Sequence, residues 1–198
     1  MATDLNAVLR NLISFYNFHA KNVIHVGAGG GQLIGYATDA HHVIAIDSDE
    51  YAAQKLAKKI EEANLEQKFT VLHQDFLTLD ATGDVVLFEF CLHEINNPLD
   101  AIEHAQELAD DILIIDHSPD SKWSWYIGET DKLKKSYQAI RAHRIRRESL
   151  KEAVQFFNNY DELASKVAGL GDEVLYRIKF LKSKTNFTIP MTYRLILI

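Results

Sequence analysis

The stretch VIHVGAGGG, at residues 23–31, is the strongest indication of the fold in this sequence. Its first part, Val23–Val26, is a short run rich in β-branched residues and predicts a buried strand of a parallel sheet. Four glycines follow within the next five residues, which is more than a simple strand-to-helix turn requires. Because glycine lets the backbone turn tightly and approach a ligand, the stretch predicts a ligand-binding turn that opens a helix through Gln32, Leu33 and Ile34.

The glycine pattern differs from the fingerprint of dinucleotide-binding proteins. That fingerprint, GxGxxG, places its third glycine where this chain has Gln32, which argues against a bound pyrophosphate. Asp47 closes the next predicted strand, Val43–Ile46, and a carboxylate at that edge of a sheet can accept both hydroxyl protons of a ribose. The competing role for Asp47 is to cap the helix that follows it.

The rest of the pattern predicts a single α/β domain over residues 1–198. Apolar residues recur at helical spacing within residues 1–20, after a cap at Thr3 or Asp4. Predicted strands and helices then alternate, which indicates a doubly wound, mostly parallel sheet. The strands lie at residues 23–26, 43–46, 69–72, 85–90 and 112–115, and the helices at about 50–63 and from Pro98 onward. Two strand-like runs, 174–181 and 191–198, leave no room for a crossover helix between them, so we expect an antiparallel pair.

Composition narrows the class of protein. The 198 residues are 47% hydrophobic and 25% charged, which fits one globular domain and excludes disorder and coiled coil. The net charge of −7 makes nucleic acid and anionic membrane surfaces unfavourable partners. A single cysteine, Cys91, excludes an internal disulfide, and no segment has the pattern of a membrane helix or leader. The sequence therefore predicts a cytoplasmic protein of undetermined oligomeric state.

Five motifs in order carry a family resemblance. They are VIHVGAGGG (23–31), IAID (44–47), QDF (74–76), FEFCLHEI (88–95) and LIIDH (113–117). The series resembles that of the class I S-adenosylmethionine-dependent methyltransferases and spans most of the chain. The resemblance implies a Rossmann-like sheet of seven strands whose last strand is antiparallel, and S-adenosylmethionine as the cofactor. It also implies cofactor-binding roles for Gly27, Ala28, Gly29 and Gly31 (methionine moiety), Asp47 with Ser48 (ribose), Asp75 and Phe76 (adenine), and Glu89.

The chain departs from this family at one position in the glycine motif. His25 stands two residues before the first glycine, where family members usually carry an acid that helps to orient the methionine end of the cofactor. His25 either changes the cofactor site or is a histidine whose polar atoms are satisfied within the core. Asp75 likewise has a competing role, that of a solvated loop acid.

Candidate catalytic residues lie after the fourth and fifth predicted strands. Methyl transfer from a sulfonium is an in-line displacement, so the enzyme mainly aligns donor and acceptor and excludes water. We predict His117, His93 and Glu94 as catalytic candidates, because imidazole–carboxylate pairs suit a hydroxyl or amine acceptor that needs a base. Their competing role is to end strands and turns. The spacing of these residues and Asp116 defines no coordination geometry, so the sequence predicts no metal site.

The segment 117–148 is predicted to be an insert that selects the acceptor. Trp123, Trp125 and Tyr126 lie in a polar loop, where they would line a substrate pocket or pack onto the core. Residues 132–147 contain seven Lys or Arg and no acid. This charge would steer an anionic substrate, or it belongs to a solvated helix face with Leu133 and Ile140 turned inward.

Together these patterns predict S-adenosylmethionine-dependent methyl transfer to a small-molecule acceptor, and the basic segment favours an anionic one. Nucleic acid is disfavoured as a substrate, since the basic segment lacks the interleaved aromatic residues of single-strand binders. Two alternatives stay open. One is a non-catalytic protein that binds S-adenosylmethionine or a nucleoside, and the other is an NAD-dependent oxidoreductase.

Overall fold

The strands of the fold form one sheet. A computed structural model describes residues 4–198. The strands are β1 Asn22–Val26, β2 His42–Asp47, β3 Phe69–His73, β4 Val85–Glu89, β5 Asp111–His117, β6 Arg147–Asn159 and β7 Thr185–Leu197. Within the described residues they form a seven-stranded sheet in the order β3-β2-β1-β4-β5-β7-β6. The first five strands pair in parallel, and β7 runs antiparallel to both β5 and β6. This confirms the predicted fold class.

The helices pack on both faces of this sheet. They are α1 Leu5–Phe15, α2 Glu50–Glu62, α3 Pro98–Leu108, α4 Lys122–Tyr126, α5 Thr130–Arg141, α6 Tyr160–Val167 and α7 Asp172–Ile178. The side chain of Asp4 caps α1, and Pro98 occupies the first turn of α3. Thr3, the other predicted cap of the first helix, lies outside the described residues. Alternate residues of β4 face the two hydrophobic cores: Val85 and Leu87 belong to one, Val86 and Phe88 to the other.

Two predicted elements are wrong. No α-helix follows the glycine turn; Gln32 and Leu33 lie in a bend, and Ile34 begins a short 3₁₀-helix, Ile34–Thr38. This segment packs closely on α1, because a Cβ on Gly35 would stand 2.6 Å from a methyl carbon of Leu9.

The predicted strand at 174–181 is also wrong: it forms α7 and a following 3₁₀ turn. Its buried residues Val174, Ile178 and Leu181 recur at helical spacing, and that period outweighs the strand propensity of the segment. β7 pairs instead with β6, which carries few buried residues because it is an edge strand. Within residues 4–198, no helix is long and apolar enough to cross a membrane.

Candidate active site

The site lies where the winding of the sheet reverses, between β1 and β4. In open α/β sheets such a reversal leaves a crevice beyond the carboxyl ends of the strands, where ligands bind. Gly27 begins the glycine turn there, with φ +68°. A Cβ on Gly27 would stand 2.4 Å from Cys91 Cβ, just beyond the end of β4. The turn therefore lies directly against the loop after β4, at a distance that only glycine permits.

Asp47 holds the glycine turn in place. One carboxylate oxygen accepts a hydrogen bond from the Gly29 N–H at 2.9 Å, and the other accepts from the Asp49 N–H at 3.0 Å. Asp49, rather than Asp47, caps α2, since its side chain accepts from the Tyr51 and Ala52 N–H groups. The competing role predicted for Asp47 thus falls to its neighbour, and Asp47 faces the cleft.

A cavity of about 640 Å³ opens at this edge. Its size is within the range of small-molecule and cofactor sites. Seven of the predicted cofactor-binding residues line it: Gly27, Gly29, Asp47, Ser48, Asp75, Phe76 and Glu89. Further lining residues were not among the predicted site residues, namely Ala52, Gln74, Leu77 and the segment 95–97. Ala28 and Gly31 are not among the lining residues; Ala28 is buried and Gly31 packs against Lys59 of α2.

A second cavity of about 280 Å³ adjoins the first. The two cavities share Gly27, Gly29, Glu89 and Phe90 in their walls. The remaining walls of the smaller cavity are Leu5, Val8, Gly30, Gln32, Leu33, His117, Trp123, Gln155, Lys166 and Met191. We refer to the two as the larger and the smaller cavity. Because these four residues line both cavities, the two lie side by side, and we refer to them together as the cleft.

Phe90 marks the junction of the two cavities and has an unusual backbone. Its φ is +49°, a left-handed conformation that residues other than glycine rarely adopt. The Phe90 N–H donates to the Ile115 carbonyl at 2.7 Å, and its ring lies 4.8 Å from the ring of His117. These contacts hold the aromatic ring at the boundary of the cleft.

Three buried side chains contact one another in series next to the glycine turn. The Tyr36 hydroxyl lies 2.9 Å from His25 Nδ1, and His25 Nε2 lies 2.9 Å from Glu89 Oε2. Burial, and then the charge of Glu89, raise the pKa of Tyr36 well above its ordinary value, so the hydroxyl keeps its proton and donates a hydrogen bond to Nδ1. The proton of a neutral imidazole then lies on Nε2, facing Glu89. His25 thus lies in the core beside a carboxylate of the cleft, and its Nε2 makes no hydrogen bond of good geometry there.

A second histidine–carboxylate cluster lies at the ends of β4 and β5. His93 Nδ1 is 2.8 Å from Asp116 Oδ1, and His93 Nε2 is 3.4 Å from Glu129 Oε2. Burial opposes protonation of His93, but the carboxylates of Asp116 and Glu129 on either side of its ring raise its pKa to about 10. Burial lowers the pKa of the neighbouring His117 to about 4, so His117 is neutral at neutral pH.

The predicted catalytic and substrate residues are distributed unevenly around the cleft. His117 and Trp123 line the smaller cavity, and Glu94 lines the larger one. His93 is buried and is not in the wall of either cavity. Trp125 is half exposed, with the Arg177 guanidinium 5.8 Å from its ring centre, and Tyr126 stacks on Phe180. Neither Trp125 nor Tyr126 lines these cavities.

The basic segment 132–147 is mostly engaged within the chain. Lys135 donates to the Asn96 carbonyl at 2.6 Å, Arg146 pairs with Asp111 at 2.6 Å, and the Arg147 guanidinium lies 4.1 Å from the ring centre of Phe15. Leu133 and Ile140 are buried, as the helix-face interpretation expects. The cation that lines the smaller cavity is instead Lys166 of α6, a residue without a local sequence signal.

The fold and the cleft define a Rossmann-like α/β enzyme whose site combines a glycine turn with strand-end acids. A family model described as "Methyltransferase domain" matches residues 1–162, and the chain belongs to this family. It is an S-adenosylmethionine-dependent methyltransferase, as the motif series predicted. No curated protein matches the chain significantly.

Solved structures share the fold at low sequence identity. A protein from Bacillus halodurans, solved as a candidate methyltransferase, is 16% identical with a TM-score of 0.69, covering 96% of this chain and 97% of its own. Magnesium protoporphyrin IX methyltransferase from Synechocystis, solved with bound S-adenosylmethionine, is 16% identical with a TM-score of 0.55, covering 97% and 77%. The [4+2]-cyclase SpnF is 14% identical with a TM-score of 0.64, covering 97% and 80%. The reaction therefore has to be argued from the site.

Proposed function

We propose that the protein transfers a methyl group from S-adenosylmethionine, bound in the larger cavity, to a small acceptor bound in the smaller one. The observation that carries this proposal is the wall shared by the two cavities, formed by Gly27, Gly29, Glu89 and Phe90. Because these residues line both cavities, a cofactor in the larger cavity and an acceptor in the smaller one would meet beside them, as an in-line displacement needs. The cofactor supplies an electrophilic methyl group on a sulfonium.

The residues of the larger cavity fit this cofactor. Gly27 leaves room that a Cβ would fill, and Asp47 presents a carboxylate beside the turn, where it would bind the ribose. Asp75 and Phe76 would hold the adenine at the far side of the cavity. We infer that Glu89 receives the ammonium group of the methionine moiety. His25 supports this role because it orients the Glu89 carboxylate from behind.

The smaller cavity limits the acceptor. Its volume of about 280 Å³ also includes the space beside Gly27 and Glu89, where the methionine end of the cofactor would lie. The acceptor is therefore a compact molecule. Trp123, Phe90 and Met191 offer apolar contacts, and Lys166, exposed and 5.4 Å from the ring centre of Trp123, offers a positive charge. These walls favour a small aromatic acceptor with a carboxylate or a similar anionic group.

His117 is proposed as the catalytic residue that orients the acceptor. A histidine with a pKa of about 4 is neutral at neutral pH and accepts hydrogen bonds, but it holds a proton weakly. We therefore infer that His117 accepts a hydrogen bond from the acceptor. Alignment and exclusion of water supply most of the rate enhancement. Because His93 lies behind the cleft wall, it acts on the acceptor only through other groups.

Titration calorimetry of the purified protein tests the cofactor part of the proposal. S-Adenosylmethionine and S-adenosylhomocysteine should bind with micromolar affinity, and NAD should not bind. Before the titration, carried-through ligand is removed and folding is checked by circular dichroism. Binding of NAD alone would favour an oxidoreductase instead. Absence of binding by folded, ligand-free protein would overturn the proposal.

A panel of small acceptors then tests the acceptor part. Methyl transfer from labelled S-adenosylmethionine is measured for hydroxybenzoates, neutral phenols and aromatic amines. We expect turnover of a carboxylated acceptor. Lys166→Met should raise its KM by about tenfold, the loss of one charged contact, whereas Lys166→Arg keeps the charge and should change KM little. Turnover of neutral or cationic acceptors alone would contradict the anionic class, and so would equal KM values for both variants.

A further inference from the structure

The cluster around His93 brings together three side chains that bind metals. One ligand atom from each of His93, Glu94 and Glu129 lies within 4.8 Å of the others. Glu129, which was not among the predicted site residues, reaches the cluster from the start of α5. The three residues come from two separate parts of the chain, so the cluster forms only on folding.

We propose that His93 Nε2 and the carboxylates of Glu94 and Glu129 bind a divalent transition-metal cation at the wall of the cleft. This site goes beyond the proposed methyl transfer and does not depend on it.

The separation of the ligand atoms suits a metal ion. His93 Nε2 and Glu129 Oε2 are 3.4 Å apart, and this nitrogen makes no hydrogen bond of good geometry although the side chain is only 2% exposed. Two ligands, each about 2.1 Å from a tetrahedral ion, stand about 3.4 Å apart. His93 Nε2 is buried and lies near a carboxylate oxygen without a well-formed hydrogen bond. Its distance from that oxygen is the distance expected between two ligands of one metal ion.

A second carboxylate orients the imidazole from the other side. Asp116 Oδ1 lies 2.8 Å from His93 Nδ1. Asp116 is itself held by the backbone N–H groups of His93 and His117, at 3.3 and 2.8 Å. Histidine ligands of metals usually donate their second N–H to such a carboxylate, which selects the tautomer with a free Nε2. Asp116 thus supplies the outer partner that a histidine ligand requires.

The negative charge of the cluster also favours binding of a cation. Three carboxylates, those of Glu94, Asp116 and Glu129, surround one imidazole, and Lys132, which acts on Glu94, is exposed. Even a protonated imidazole leaves an excess of negative charge in a largely buried place, and buried charges are normally paired or bind metals. One nitrogen and two oxygens favour Zn²⁺, Mn²⁺ or Fe²⁺ over the all-oxygen sites of Ca²⁺ and Mg²⁺. Glu94 is exposed and lines the larger cavity, so the site opens to the cleft.

Cobalt binding tests this site directly. Protein dialysed against EDTA is titrated with Co²⁺, whose visible absorption bands report on the ligands, and the affinity for Zn²⁺ is measured by competition. We expect one Co²⁺ per chain. Glu94→Gln and Glu129→Gln should each weaken binding by at least about tenfold, and Asp116→Asn by about tenfold through the outer partner.

A matched control is available on α3. His104 Nδ1 and Glu107 Oε2 are also 3.4 Å apart, but Glu107 is exposed and this pair lies outside the cluster. Glu107→Gln should leave Co²⁺ binding unchanged. If Glu129→Gln does not fold, Co²⁺ binding is compared between the parent protein and Glu94→Gln, because Glu94 is exposed. Absence of Co²⁺ bands in the parent protein would overturn the proposal, and so would equal binding by parent and Glu94→Gln. Cofactor titration of the same samples tests the proposed cofactor site separately.

Discussion

His25 Nε2 lies 2.9 Å from Glu89 Oε2, so the strand before the glycine turn is joined to the neighbouring strand through a buried imidazole. β1 and β4 are adjacent and parallel, and the two side chains meet at the edge where the cleft opens. The family motif usually has an acid at the position of His25. Here a carboxylate reaches the glycine turn from β4. This contact supports the proposal that Glu89 takes the place of the acid that the family motif usually has at the position of His25.

Glu89→Gln tests this compensation. The amide keeps the shape of the side chain but removes the charge proposed to receive the cofactor ammonium. We expect the affinity for S-adenosylhomocysteine to fall by at least about tenfold, or about 1.4 kcal/mol, in titration calorimetry. Tyr36→Phe, one step further from the cleft, should weaken binding less. Unchanged affinity in Glu89→Gln would contradict the role of Glu89.

Asp47→Ala should separate cofactor binding from stability. The carboxylate accepts hydrogen bonds from two backbone N–H groups, Gly29 and Asp49, both partly accessible to water. We expect cofactor affinity to fall by more than about tenfold, while the free energy of unfolding of the ligand-free protein falls by only about 1 kcal/mol.

The matched control for Asp47 is Asp84→Ala. Asp84 also accepts a backbone hydrogen bond, from Asn22 at 2.7 Å, but at the opposite end of β1. This variant should lower stability similarly and leave cofactor affinity unchanged. Equal loss of affinity in both variants would show that the effect of Asp47 is a general loosening of the sheet.

Gly27→Ala should destabilise the protein, and Gly30→Ala should not. Gly27 has φ +68° and its Cβ would overlap Cys91. The nearest atom to a Cβ on Gly30 is Lys55 Cδ at 3.8 Å, an ordinary contact. We expect Gly27→Ala to lower the free energy of unfolding by at least about 2 kcal/mol in urea denaturation. A similar small effect for both variants would mean that the turn does not press against the loop after β4.

Acidification should destabilise the protein through His117. Burial, helped by the charges of His93 and Lys166 and opposed by Asp116 and Glu129, lowers its pKa to about 4. The unfolded chain binds a proton near pH 6.5, so stability is lost as the pH falls from about 6.5 to 4, by at most about 3 kcal/mol. The pKa of His93 is raised instead, to about 10. The contribution of His93 to the free energy of unfolding is therefore complete below about pH 6.5 and is lost as the pH rises toward 10.

His117→Phe removes this titration, because the phenyl ring can pack on Phe90 without binding a proton. Urea denaturation at pH 7.5, 5.5 and 4.5 should show a smaller loss of stability in the variant than in the parent. The exposed His19, changed to Gln, serves as the control and should follow the parent. Parallel pH profiles for the parent and His117→Phe would show that the buried imidazole does not govern acid stability.

Local patterns were enough to predict the first five strands and the edge of the cleft that is proposed to bind the cofactor. Their short apolar runs place the strand ends, and the carboxyl ends of parallel strands meet at one edge of the sheet. Gly27, Asp47 and Asp75 each follow or close such a strand, so their meeting at the larger cavity follows from the order of elements. The C-terminal strand was also predicted correctly, but its partner was not.

The side of the cleft proposed to bind the acceptor depends on long-range contacts. Gln155 lies on an edge strand, Lys166 on a short helix and Met191 on the strand that pairs with β6, and only the long-range pairing of β6 with β7 brings them to one cavity.

The same holds for the contacts of the two buried histidines. The approach of Glu129 to His93 depends on how α5 packs, and the contact of Glu89 with His25 depends on the register of two neighbouring strands. Periodicity reports which face of an element is buried, but it does not report which distant side chain that face meets. Local sequence patterns were therefore sufficient for the half of the cleft proposed to bind the cofactor, whereas the half proposed to select the acceptor depends on the pairing of distant elements.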